Sequence, residues 1–485
     1  MEEQRKLSFG VKAAYGFGSV AYGVKNNGFD YFLLLFYSQV IGLDARLVGI
    51  AITTALVFDA ISDPIIGYWS DNVRSKMGRR HPFMYVSALP VALSYFFLWN
   101  PPIEWSDTAI FWYLLVLAVF IRTFITLYET PSSALTPELS EEYTERSSLL
   151  SFRYYFGWTG GNSMTVLMFF FIFPALATAT IPDGRFNRES YEILGITGSL
   201  LIFISIMVSS IGTHSQIPFL KSPPAQRALT LKGIFREIFE TLANRSLVAL
   251  FGAALLGAIA TGLAAALAFY FYTYFWEFTS IETGIITTGV FLAAIIGFVL
   301  APIVTKRFGK KNGAMGIGLI AFLGAPLPVF LRLIGVLPEN GDPFVFWFVF
   351  GTGVIDVGLI ICFQILFASM TADLVEQAEL KTGRRSEGVF FSSVTFVRKT
   401  VQGLGLLAAS FVLALAEFPS GATVEQVSDE SIWLLGAYYV PTILTLWLGM
   451  IAVISLYKVD EESHAATLKE LENRRVQTAA SENQA

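Results

Sequence analysis

A chain of 485 residues that is 54% apolar and only 15% charged, with a mean hydropathy of +0.59, is not a string of soluble domains, which run near ~25% charged. Its net charge of −5 is unremarkable and points to no nucleic-acid partner, and one cysteine, Cys362, excludes an internal disulfide framework. The composition leaves a polytopic membrane protein, and 44 phenylalanines suit helices that face lipid.

The first residues, 1–8, are polar, and the apolar stretch behind them is too long for the core of a signal peptide, so no cleavable signal is expected. A spanning helix needs about 20 mostly apolar residues. Twelve stretches qualify and predict an all-α fold: 11–40, 47–69, 82–99, 108–130, 147–177 and 193–212, then 246–276, 284–304, 313–334, 343–370, 389–416 and 432–457. Between the two sets lies a polar segment with Pro218, Pro223 and Pro224. It ends in an amphipathic piece, 231–242, whose Ile234, Ile238 and Leu242 recur at helical spacing and suit a helix on the membrane surface. The expected organisation is a six-helix bundle over 1–213, a central loop over 214–245, a second six-helix bundle over 246–457 and a tail over 458–485. A weak repeat supports two halves. Asp63-Pro64 leads to Arg79-Arg80 after the second span, and Ala301-Pro302 leads to Lys310-Lys311 after the eighth. Duplicated six-helix bundles suit alternating access, with substrate held between the halves. Lys and Arg gather in alternate loops, which puts both termini and the central loop in the cytoplasm of a plasma membrane, in a bacterium the inner membrane.

The second span carries Asp59 and Asp63, four residues apart. That spacing puts both on one helix face. Carboxylates in hydrocarbon need a cavity or a partner, and two together need a cation or proton between them. The pair reads as a cation site, against the alternative of an internal salt bridge. Lys25 and Asp30, Arg122 and Glu129, Arg153, Arg332, Asp356, Arg398 and Lys399 also fall inside spans. Arg332 lies near a helix end and can snorkel. Arg122 and Arg398 are either functional or structural ion-pair partners. Thr126 and Glu129 share a face of the fourth span and can complete an oxygen shell for Na⁺, whereas H⁺ needs only the carboxylates. Lys25, Asn26 and Asn27 suit either a hydroxylated or zwitterionic substrate or helix-to-helix hydrogen bonding. No nucleophile–base pair, metal cluster or nucleotide loop is visible, which points away from an enzyme and from ATP-driven transport.

These residues form a pattern. Asp59, Asp63, Pro64, Gly67, Asp71, Arg74, Ser75, Gly78, Arg79, Arg80 and Pro82, with a second run of Ala372, Asp373, Glu376, Glu379, Lys381, Thr382, Gly383, Arg384, Arg385, Glu387 and Gly388, resemble the signatures of the glycoside–pentoside–hexuronide:cation symporters. This is the melibiose-permease-like branch of the major facilitator superfamily. The resemblance implies a cation-coupled symporter with inward-facing and outward-facing states and no cofactor beyond the coupling ion, Na⁺ or H⁺. It implies Asp59, Asp63 and Thr126 as cation ligands, with Asp59 and Asp63 binding Na⁺ if sodium is the coupling ion. Glu129, Arg153, Thr395 and Lys399 then belong to the polar centre that holds substrate, where Asn26 joins them. The chain departs from the branch at Gly23 and Tyr22, which replace a sugar-gripping aspartate and its neighbouring lysine. Ser133 and Gln364 replace two tryptophans, and Ser62 replaces a cation-site asparagine.

The leading expectation is symport of a small hydrophilic solute, a sugar or glycoside, by a monomer in the lipid bilayer. The alternative is a cation-coupled carrier of an amphiphile such as a lysophospholipid, and a non-transporting receptor ranks below both. Asp71, Arg74, Arg79 and Arg80 are expected to form a cytoplasmic ion-pair latch with Asp373, Arg384 and Arg385, against the alternative that these charges only fix topology. Lys399 is expected to couple the sites by pairing with a first-half carboxylate until a cation displaces it.

Overall fold

The computed structural model describes residues 7–102, 104–140, 143–220, 245–382 and 403–456. Every regular segment among them is helical and none is a strand. Helices start where the sequence supplies caps. The Ser8 side chain accepts from the Val11 backbone at 3.3 Å and opens α1 (Phe9–Phe17), which α2 (Ser19–Asn27) follows. The Asp44 side chain accepts from the Arg46 backbone at 2.8 Å at the head of α3 (Ala45–Asn72), and hydrogen bonds from the Arg46 side chain hold the Asp44 carboxyl below its usual range. After α4 (His81–Leu98), Ser106 caps α5 (Asp107–Leu139). Then come α6 (Tyr143–Leu167) and α7 (Arg188–His214), the latter capped by Asn187. The remaining helices are α8 (Arg245–Tyr270), α9 (Ser280–Phe308), α10 (Lys310–Gly324), α11 (Leu327–Leu333), α12 (Pro343–Thr382), α13 (Gly403–Leu415) and α14 (Asp429–Ser455).

Ten helical stretches among the described residues are long and apolar enough to cross a membrane. The protein is all-α and polytopic. The expected first span is not one regular helix. Beyond α2 it passes through π-helical turns at Gly28–Phe32 and Phe36–Val40, and such turns concentrate at functional sites. The expected span 313–334 breaks at Ala325-Pro326, where α11 begins. Proline lacks the N–H that would continue α10. Two helices outrun their apolar windows: α5 continues to Leu139 and α12 to Thr382. Backbone hydrogen bonding does not stop where hydrophobicity does.

Contacts divide the chain into two compact units. The first comprises residues up to 228 with 262–287 and 402–435, and the second 229–261, 288–401 and 436–485. Within the first, α5 packs against α3 and α4, while α2 packs against α6 and α7. The α2–α6 contact brings two backbones together. A Cβ at Gly23 would lie 2.0 Å from the Gly157 carbonyl oxygen, and one at Gly161 would lie 2.7 Å from the Gly23 carbonyl oxygen. Small residues permit this approach in membrane helices. Position 23 therefore has no room for the aspartate of the melibiose-like branch. Within the second unit α10 lies along α12, and Phe322 stacks on Trp447 of α14 at 4.1 Å.

Candidate functional site

Asp59 and Asp63 sit one turn apart on α3, against the face of α5 that carries Thr126. Thr126 Oγ1 lies 2.9 Å from Asp59 Oδ1 and 2.9 Å from Asp63 Oδ1. Asp59 and Thr126 are buried, at 2% and 1% exposure, and Asp63 is half-buried. A hydroxyl carries one proton, so it donates to one carboxylate at a time. Arg122, one turn earlier on α5, adds a weaker partner. Its Nη1 lies 3.4 Å from Asp59 Oδ2, and its guanidinium covers the Phe29 ring at 4.9 Å from the centroid. Ser62, where the melibiose-like branch has asparagine, donates back to the Asp59 carbonyl at 3.0 Å.

A second polar cluster lies further along α5. Arg153 of α6 is buried and donates to Ser132 Oγ at 2.7 Å, Ser133 Oγ at 2.9 Å and the Tyr15 hydroxyl at 3.2 Å. Its charge faces the rings of Tyr15 and Tyr22, with centroids at 5.2 Å and 5.7 Å. Glu129 is half-buried within electrostatic range of Arg153 and Tyr22, with no hydrogen bond or ion pair among the described residues. It is an acceptor placed beside a fixed cation. Asn26 is exposed, whereas Asn27 donates to Thr165 Oγ1 of α6 at 3.0 Å. Helix-to-helix bonding therefore accounts for Asn27 and leaves Asn26. Lys25 is buried, and Gln364 is exposed on α12.

Of the expected latch, Arg79 and Arg80 both reach one carboxylate, Glu138 at the end of α5. The Nη2 of Arg79 lies at 2.6 Å and the Nε of Arg80 at 3.2 Å from its Oε1. Arg80 also donates to Ser70 Oγ at 2.8 Å, and Arg74 is exposed. Thr395, Lys399, Arg384, Arg385 and the side chains of Asp71 and Asp373 lie outside the described residues. Two residues escaped sequence reasoning. Glu138 follows Thr136-Pro137, beyond the apolar window that ended at 130, but the helix continues through it. Arg185 lies between the expected spans 147–177 and 193–212, in the 3-10 turn Gly184–Phe186. It is 4% exposed, pairs with Asp183 at 2.7 Å and donates to Thr273 Oγ1 at 2.9 Å and the Phe278 carbonyl at 2.7 Å.

A family model described as MFS/sugar transport protein matches residues 14–461. The chain belongs to that family. It is a transporter of the major facilitator superfamily, in the glycoside–pentoside–hexuronide:cation symporter branch that the two signatures indicated, and not an enzyme. An uncharacterized symporter of Synechocystis is 24% identical, with 97% of each chain covered. A glucuronide carrier protein homolog of Escherichia coli is 23% identical, with 97% of each covered. A sodium-dependent lysophosphatidylcholine symporter of Danio rerio is 24% identical over 97% of this chain and 90% of that one. The solved nucleoside transporter NupG superposes with a TM-score of 0.57 at 14% identity, covering 91% of this chain and 98% of that one. That likeness is one of fold.

Proposed function

We propose that this transporter couples the uptake of a small hydrophilic solute, a sugar or glycoside, to the entry of one cation species, Na⁺ or H⁺, by alternating access. The observation that carries the reading is the Thr126 hydroxyl at 2.9 Å from two carboxylates. Two acids gathered on one hydroxyl concentrate negative charge and oxygen lone pairs, which suits a coupling cation. Three oxygens from two helices suit Na⁺, a hard cation. Substrate is held beside it by Glu129, Arg153 and Asn26, with Thr395 and Lys399 contributed from the other half. Glu129 offers lone pairs to hydroxyls while the Arg153 network keeps its charge in place. Twelve spans in two six-helix bundles, both termini in the cytoplasm of the plasma (inner) membrane and a monomeric working state complete the proposal. The latch of Asp71, Arg74, Arg79 and Arg80 with Asp373, Arg384 and Arg385 closes the cytoplasmic side, with Glu138 holding Arg79 and Arg80 in the state described here.

A second reading has a specific observation behind it. Ser133 is exposed where the melibiose-like branch has tryptophan, and Gly23 has no room for a carboxylate. Ring stacking and carboxylate gripping hold sugars, and both are lost here. An amphiphile such as a lysophospholipid would instead present its phosphate to Arg153, and the likeness to the Danio rerio symporter supports keeping it. The deciding experiment is a melting-temperature screen of purified protein against glycosides, glucuronides and lysophospholipids, with and without Na⁺. A Na⁺-dependent shift from glycosides or glucuronides alone upholds the leading reading, and one from lysophospholipids alone replaces it.

A further inference from the structure

Arg122 stands at the carboxylate pair without a part in the reading above. Its side chain is 7% exposed, against an Asp59 side chain that is 2% exposed. The contact is single and long, with Nη1 at 3.4 Å from Oδ2. A charge-assisted pair usually closes to about 2.7–2.9 Å, and an arginine fork commonly makes two such bonds. Among the described residues its Nε has no hydrogen-bond partner, and the planar group lies over the Phe29 ring. Among those residues one carboxylate oxygen and one ring face hold the buried guanidinium. Asp59 is divided between two uses. Its Oδ2 meets a fixed positive charge, while its Oδ1 faces Thr126, which also meets Asp63.

We propose that Arg122 is a resident counter-ion that sets how tightly the carboxylate pair takes the coupling cation; this rests on the cation-site reading. A positive charge on one oxygen of Asp59 opposes a second on the other, because like charges in a poorly screened interior repel strongly. The single long contact keeps that opposition partial, so a cation is held and also released. The face of Phe29 is the second seat of the guanidinium when a bound cation draws Asp59 away. Phe29 belongs to the π turn Gly28–Phe32, two residues beyond Asn27. The same shift therefore acts on the segment that presents Asn26, giving cation binding a path to the substrate.

The test titrates purified full-length protein with NaCl, with choline holding ionic strength constant, and reads Na⁺ affinity by calorimetry. Arg122→Gln is expected to bind Na⁺ about tenfold tighter or more than the parent, and Arg122→Lys to stay within a few-fold. Asp59→Asn is expected to lose Na⁺ binding, and Asp59→Asn/Arg122→Gln to regain part of it through Asp63. A merely structural arginine would restore the melting temperature in the double variant without changing the Na⁺ affinity of Arg122→Gln. The double variant removes both members of the ion pair, so it carries the test if Arg122→Gln alone fails to fold. Equal or weaker Na⁺ binding by Arg122→Gln, with no rescue in the double variant, overturns the proposal. If Asp63→Asn still loses Na⁺ in that case, the cation site itself stands. No Na⁺ binding by either the parent or Arg122→Gln overturns the proposal for Na⁺, and the cation-site reading then stands or falls on H⁺-driven uptake.

Discussion

Thr126 has one proton to share between two carboxylate oxygens at 2.9 Å, and Asp59 has a second obligation to Arg122. The two aspartates are thus not equivalent, although their spacing in sequence makes them look so. Asp59→Asn leaves a buried guanidinium without its carboxylate, which destabilises by about 3–5 kcal/mol. Asp63 is only half-buried, and an amide in its place keeps an oxygen for the Thr126 hydroxyl. Both variants are expected to lose coupled uptake, but Asp59→Asn should show the larger fall in melting temperature. Equal melting temperatures would contradict the Arg122 contact. Thr126→Val keeps the volume and removes the oxygen. It should weaken Na⁺ by about tenfold, on the order of 1.4 kcal/mol, with little change in melting temperature. The pair Asp59 and Asp63 was legible because helical spacing is short-range. The Arg122 partner was not, because α3 and α5 are brought together only by packing.

At the scale of elements, α5 is the polar rail of the first unit. Arg122, Thr126, Glu129, Ser132, Ser133, Thr136 and Glu138 follow one another along it, and all but Glu129 bond to α1, α3, α6 or the segment between α3 and α4. An apolar window over 108–130 stopped short of its last turns, which carry Ser132, Ser133, Thr136 and Glu138. The α2–α6 contact was legible as a departure, Gly23 in place of aspartate, but its reason was not. The reason is the Gly157 carbonyl oxygen, 2.0 Å from where a Cβ would stand. Gly23→Asp is therefore expected not to create a galactoside grip but to force the helices apart. Overpacking costs about 1–3 kcal/mol, and a buried charge adds to it. Expression and melting temperature of Gly23→Asp and Gly23→Ala check this; unchanged stability in both would contradict the close approach. At the end of α5, Glu138→Gln removes the carboxylate that Arg79 and Arg80 share and should lower the melting temperature more than Arg74→Ala, whose side chain is exposed.

For the molecule as a whole, the composition and the two signatures disclosed the class, the helical architecture and the family. Charges that act through distant partners stayed hidden. Arg185 is the clearest case, since it reaches Thr273 and Phe278 from a loop nearly a hundred residues away in sequence. Nearby, the Gly421 N–H donates to the Ser38 carbonyl at 2.9 Å and Gln39 donates to the Tyr270 hydroxyl at 3.4 Å. These contacts join 262–287 and 402–435 to the rest of the first unit, and alternating access is expected to open them. Arg185→Ala, in a Cys362→Ala background, should make Gln39→Cys react several-fold faster with a membrane-impermeant maleimide; an unchanged rate would make Arg185 a mere fold anchor. Coupling itself is decided in proteoliposomes, by uptake of a panel of radiolabelled glycosides and glucuronides under an imposed Na⁺ or H⁺ gradient. The expected result is accumulation above equilibrium in the parent that requires one of the two gradients and vanishes in Asp59→Asn/Asp63→Asn. Accumulation by the double variant equal to that of the parent would contradict it.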